Sequence, residues 1–274
     1  MPDKVDLAYA IGLPPAEAIA YFQSKGYAIS FKWQDVWQEA HARAFTVAGV
    51  LKMDVLQDIR EALAKALNEG TTLQTFVNDL APLLEKKGWY GRGMIVDQDT
   101  GEITGKRLGP RRLQTIFETN MQSSYMAGRY QWMAENAEDG DGWEYVAVMD
   151  SRTRPAHRAM HGRLFRFSDP ATNFFWPPNG FRCRCRARMR RAADIDAQGL
   201  RFTSTEGHLY DVEVPAGKDR TATVKAFKAP GMERAFAPDA GFSFNPGRQA
   251  WKPDLSQYPP QLVQQFSAEQ RRGK

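Results

Sequence analysis

RRLQTIFETNMQSSYMAGRYQWMAENAEDGDGWEYVAVMD, residues 111–150, decides the fold. Leu113, Ile116, Phe117 and Met121 recur at helical spacing, and Tyr125 and Met126 continue the stripe. The stretch therefore predicts one long helix, stopped by Gly140 and Gly142. WEYVAVMD changes period and reads as a strand ending at Asp150. A long amphipathic helix beside a short strand predicts an α+β fold, with the helix packed on a small antiparallel sheet.

Working outward, the N-terminal side is helical. Pro14 and Pro15 open a short helix over PPAEAIAYFQSKG, with Gly26 beyond its end. In WQDVWQEAHARAFTVAG, Trp33, Val36, Trp37 and Ala40 fall at helical spacing, followed by Ala44, Phe45 and Val47. Asp54 is placed to cap a third helix ending at Gly70, and Thr72 to cap a fourth over LQTFVNDLAPLLEKKG. The Trp and Phe stripes read as core packing. A Gly-rich connector follows over 91–109, with a hairpin expected at VDQDTGEIT.

Past the long helix, LYDVEVP alternates as a strand, and residues 216–274 are rich in Pro, Gly and Lys. That tail is expected to be extended and to dock on neighbours, with one short helix over PDLSQYPPQLVQQF. The predicted organisation is a helical region over 1–90, the connector over 91–109, a compact domain over 110–215 and the tail over 216–274.

The 274 residues are 42% hydrophobic and 25% charged, an ordinary globular composition. The net charge of +5 suits contact with nucleic acid or an acidic protein surface and establishes neither. No run of 18 apolar residues is present, so no membrane span or membrane partner is expected. The N-terminus lacks the basic and apolar segments of a secretory signal, and two cysteines exclude a disulfide framework. A protein made in the cytoplasm with reduced thiols is expected.

The chemistry concentrates in DSRTRPAHRAMHGRLFRFSDPATNFFWPPNGFRCRC, residues 150–185. Asp150 stands at the expected strand end, with Arg152 and Arg154 close by. Asp169-Pro170 and PPNG are turn signals. His157 and His161 are four apart, so one helical turn would align them. With Cys183 and Cys185 they make a candidate tetrahedral zinc set. The Cys-x-Cys spacing is tighter than the usual Cys-x2-Cys. The bland alternative is two small buried cysteines and two hydrogen-bonding histidines.

Enzymatic readings are available from the same residues. A Cys/His pair could serve as a nucleophile, and Asp150, His157 and Asp169 could serve a metal-dependent nuclease. No phosphate-binding GxxxxGK[ST], HExxH or GxSxG motif accompanies them. Arg182, Arg184, Arg186, Arg188, Arg190 and Arg191 form a dense basic row, and the first five share a face if extended. Such a row is either salt-bridged along an edge or laid against phosphate or a partner. It has no interleaved aromatics for base stacking.

The same residues resemble the phage Mu protein F-like family, the phage head-morphogenesis domain. RRLQTIFETNMQSSYMAGRY, YVAVMDSRTRPAHRAMHGRLFRFSD, WPPNGFRCRCR and FSFNPG carry the resemblance, most clearly over 111–188. It implies a minor head protein and not an enzyme, acting at the portal or capsid interior during assembly and DNA packaging. Its partners would be portal, capsid or scaffold proteins, with phage DNA a further candidate. Its location would be the virion, after assembly in the bacterial cytoplasm.

A second branch of the family looks like zinc proteins. It carries Cys-Pro-x-Cys where this chain has Arg154-Pro155-Ala156-His157, and a histidine near Gly180. The resemblance therefore leaves His157, Cys183 and Cys185, with His161 as a stand-in ligand, or a metal-free loop held by an Asp150–Arg154 pair. The rival functions are a toxin-like or nuclease-like enzyme using Asp150, His157 and Cys183, and a plain DNA-binding module.

Overall fold

The described part of the chain opens with α1 (Pro15–Gln23), in a computed structural model that describes residues 15–32 and 44–248. Short strands β1 (Gly26–Tyr27) and β2 (Ala44–Phe45) then pair in parallel. Ala44 and Phe45 are therefore in a strand, not the expected helix. The helical spacing at Trp33, Val36, Trp37 and Ala40 lies outside the described residues.

α2 (Met53–Glu69) buries Val55, Leu56, Ile59, Leu63, Ala66 and Leu67, a three-to-four spacing that turns one stripe inward. Gly70 closes it in the left-handed conformation at φ 64°, its N–H on the Ala66 carbonyl. Lys52, not Asp54, is the N-cap. Asp54 sits in the first turn, where a carboxylate suits the helix dipole, and pairs with Lys87 at 3.1 Å. α3 (Leu73–Lys86) is capped as expected, Thr72 Oγ1 accepting the Thr75 N–H at 3.2 Å.

The hairpin forms as expected: β3 (Met94–Val96) runs antiparallel to β4 (Ile103–Lys106). Asp97 Oδ1 accepts the amides of Asp99 and Thr100 at the turn. The hairpin is clamped to the helices. Trp89 is buried flat against Gly105, where an added Cβ would sit 2.2 Å from the indole, and the Lys106 N–H donates to the Gly49 carbonyl.

α4 (Pro110–Asn136) spans 27 residues, about 40 Å at helical rise. Its first half contributes Leu113 and Phe117 to an apolar cluster with α2 and α3. Its second half contributes Met126 and Met133 to a second cluster. One helix thus serves both cores.

The second core is built on β5 (Gly142–Val146), all of whose residues are buried. α5 (Pro155–Met160), β6 (Leu164–Arg166), α6 (Ala171–Phe174) and β7 (Arg186–Arg190) follow, and the antiparallel sheet has the order β6-β5-β7. Trp143 pairs with Met189 and Phe165, and Tyr145 with Ala187, so the face packed in the core is apolar and aromatic. Trp143 and Trp176 lie 5.0 Å apart, and Trp176 Nε1 donates to the Met126 carbonyl of α4.

β5 ends at Val146, four residues before Asp150. The backbone beyond is claimed by side chains: the Ala147 N–H donates to His161 Nδ1, and the Thr153 hydroxyl donates to the Val148 carbonyl. No ladder partner can use those groups.

α7 (Ala192–Ala197) leads to the hairpin of β8 (Leu209–Pro215) and β9 (Thr221–Phe227). The predicted boundary at 215 falls in this hairpin's turn. Residues 228–248 carry little regular structure, as expected of the tail. Yet they fold back on their own domain instead of waiting for a neighbour: Phe236, Phe242 and Asn245 are buried, and Phe236 pairs by backbone with Phe227. The helix expected over PDLSQYPPQLVQQF lies outside the described residues.

Candidate functional site

α5 lifts His157 into the floor of the 150–185 loop, where it is 3% exposed. The PPNG turn returns the chain so that Cys183 and Cys185 meet it. His157 Nδ1 is 3.4 Å from Cys185 Sγ and 3.7 Å from Cys183 Sγ, and the three donor atoms lie within 4.8 Å of one another. Among the described residues this is the one group of three or more His, Cys, Asp or Glu able to hold a metal.

His161 does not join. α5 ends at Met160, and His161 is its C-cap, with Nδ1 accepting the Ala147 amide at 3.2 Å. The expected alignment of two histidines fails because the helix stops one residue short.

Tyr145 completes the buried group from β5. Its hydroxyl lies 3.4 Å from His157 Nδ1 and donates to Asn179 Oδ1 at 3.1 Å. Burial raises its phenol pKa well above the ordinary value. The contact with Cys185, reinforced by His157, holds the Cys183 thiol well below the ordinary range despite burial. The same contact and burial push Cys185 up. Gln122 of α4 donates to the Cys185 carbonyl at 2.6 Å and fixes the strand from outside.

Arg154 caps the other side. Nη1 is 3.4 Å from His157 Nε2, and Nη2 donates to the Phe181 carbonyl at 3.1 Å. Its carboxylate partner is Asp239, at 3.1 Å, not the Asp150 expected. Gly180 leaves room for this pair. A Cβ would fall 2.2 Å from Asp239 Oδ2 and 2.6 Å from Arg154 Nη1, so the ion pair fills the place of a side chain.

Asp150 takes a bidentate pair from Arg184, at 2.7 Å on each oxygen, and the Arg152 amide at 3.0 Å. The hydrogen bonds from Arg184 hold its carboxyl well below the usual range. Asp169 accepts the amide of Ala171 and both the hydroxyl and the amide of Thr205, at 2.8, 2.6 and 3.0 Å. Each carboxylate is committed to its own turn, so the Asp150, His157 and Asp169 set does not converge as a nuclease centre would require.

The arginine row alternates as predicted through β7: Ala187 is buried, while Arg186, Arg188 and Arg190 line the other face. The row is paired rather than bare. Arg188 and Arg190 both bind Glu144, at 2.7 and 2.5 Å. Arg182 binds Glu118 at 2.8 Å, and Arg191 binds Asp141 at 2.7 Å. Arg182 is a non-glycine residue at positive φ, 58°, which aims its side chain back to α4. Arg186 lies near Arg129, whose pKa falls to about 10 through burial and that neighbouring charge. Burial pushes Glu144 upward, but the bonds from its two arginines outweigh it and leave the carboxyl below its usual value.

Sequence reading missed Tyr145, Asn179, Asp239, Glu118, Asp141 and Glu144. Glu144 had a signal, since an acid within the apolar run of a central strand is almost never buried unpaired. Asp239 had none, lying 85 residues from Arg154 in a stretch without periodicity. Chemically, the loop is a saturated, buried network: its thiols and imidazole are 7%, 2% and 3% exposed for Cys183, Cys185 and His157.

The family model described as Phage Mu protein F like protein matches residues 57–188. The chain is 43% identical over 261 residues to the "Putative capsid assembly protein F" of Escherichia phage Mu, covering 93% of this chain and 59% of that protein. It is 36% identical over 235 residues to the "Mu-like prophage FluMu F protein" of Haemophilus influenzae, covering 83% and 55%. The chain thus spans a little over half the length of these relatives. No solved structure matches it. No helix among the described residues is long and apolar enough to cross a membrane. The chain belongs to the phage Mu protein F-like family.

Proposed function

We propose that the chain is a minor head protein that works in phage head assembly, at the portal or capsid interior, while the head is built and filled. The observation that carries this reading is the 43% identity, over 93% of the chain, to a protein named as a putative capsid assembly factor. The site supports a structural role rather than catalysis. Its thiols and imidazole are buried against one another, and its carboxylates Asp150 and Asp169 are committed to Arg184 and Thr205.

In this reading the partners are portal, capsid or scaffold proteins, and the place of action is the virion. Arg182, Arg188 and Arg191 keep about half of their side-chain surface, at 52%, 43% and 43%. They are the members of the row assigned to partner or DNA contact. Arg184 and Arg190, each at 19%, hold the domain together.

The test is deletion of the gene in the phage that encodes it, with complementation in trans. The reading expects few or defective heads, rescue by the wild-type chain, and the protein present in purified heads. Normal yields of infectious, filled heads without it would overturn the reading.

A further inference from the structure

The buried group of His157, Cys183, Cys185 and Tyr145 has a property that hydrogen bonding alone does not demand. The distances from His157 Nδ1 to its neighbours match those between ligands of one tetrahedral ion. With Zn–S about 2.3 Å and Zn–N about 2.0 Å, tetrahedral angles put nitrogen and sulfur about 3.5 Å apart, and nitrogen and an oxygen ligand about 3.3 Å apart. His157 Nδ1 lies 3.4 Å from one sulfur, 3.7 Å from the other and 3.4 Å from Tyr145 Oη. The donors converge from three separate segments. β5 carries Tyr145, α5 carries His157, and the turn before β7 carries the cysteines.

We propose that this chain binds one zinc ion through His157 Nδ1 and the sulfurs of Cys183 and Cys185, with the Tyr145 hydroxyl on the fourth side. Imidazole and thiolate are the donors that select zinc over magnesium or calcium. His161, four residues from His157, is not a ligand. With the metal on Nδ1, the proton of His157 lies on Nε2, beside the Arg154–Asp239 pair. The ion would staple the loop to the sheet, adding its binding energy to that of folding.

The experiment uses the full chain, purified without chelator and assayed for metals by elemental mass spectrometry. A second sample is stripped and titrated with cobalt(II), whose thiolate charge-transfer absorption reports the sulfurs directly. The proposal expects about one zinc per chain, a cobalt spectrum showing two thiolates, and a lower melting temperature after chelation of the wild type. Cys183→Ser, Cys185→Ser and His157→Ala should each lose the metal, whereas His161→Ala should keep it.

A folded wild-type chain with no zinc, no cobalt charge transfer and a melting temperature indifferent to chelator would overturn the proposal. Retention of the metal by a folded Cys183→Ser or His157→Ala would overturn it too. If those variants do not fold, the wild-type cobalt spectrum and chelator shift decide alone. None of these readouts depends on head assembly, so failure here leaves the assembly reading standing, and the reverse.

Discussion

The two cores are held by different means. The first, where α2 and α3 meet the first half of α4, is a cluster of Val, Leu, Ile and Phe side chains with few polar groups inside. The second, around β5, is aromatic at its centre and bordered by carboxylate–guanidinium pairs that join distant segments: Glu144 to Arg188 and Arg190, Asp141 to Arg191, Asp150 to Arg184. A helical core can be assembled from neighbours in sequence. A small sheet whose strands β5 and β7 are joined through residues 147–185 cannot, and the ion pairs supply the long-range ties.

That contrast can be broken or sharpened by substitution. The largest effect is expected from Trp143→Ala at the centre of the second core, a loss of about 4 kcal/mol in denaturant unfolding. The side chain is fully buried and its indole N–H donates to Thr172. Glu144→Gln comes next. It leaves Arg190 and part of Arg188 without a counter-charge in a mostly buried place, and should cost about 3 kcal/mol, less than a fully enclosed pair because Arg188 is partly solvated.

The pH dependence of that variant is a separate check. Glu144 has a folded-state pKa below its unfolded value. Its contribution is therefore fully present above the unfolded value of about 4.3 and is lost as pH falls through the lower folded value. Wild-type stability should decline below about pH 4, and Glu144→Gln should decline less steeply there. Parallel curves would mean that other carboxylates account for the acid sensitivity.

In the first core the polar effects should be small. Thr72→Ala removes the cap on α3 and should cost about 1 kcal/mol by thermal unfolding. Lys65→Ala breaks a pair with Asp79 that is half exposed on both sides, and should change stability by less than about 0.5 kcal/mol. A large effect of Lys65→Ala would erase the distinction between the regions.

The same contrast explains what could be read in advance. α2, α3 and α4 were legible because their stripes and the signals at Gly70 and Thr72 are local. The alternation of the arginines in β7 was legible for the same reason, and so was the chemical interest of His157, Cys183 and Cys185. What was hidden depends on long-range closure. Asp150 pairs with Arg184 instead of the nearby Arg154, whose partner is the distant Asp239, and only the folded loop decides between such acceptors. His161 was misassigned because an i, i+4 spacing gives a shared face only while the helix continues, and α5 ends first. The strand was drawn too long because a hydroxyl and an imidazole capture the backbone after Val146.

The claim that long-range ion pairs hold the second core is tested most directly by a double-mutant cycle of Glu144→Gln and Arg190→Met, read by denaturant unfolding. The account predicts a coupling energy of about 1.5 kcal/mol or more between the two positions. Substitutions that add within about 0.5 kcal/mol would contradict it, and would mean that the aromatic centre alone holds the sheet.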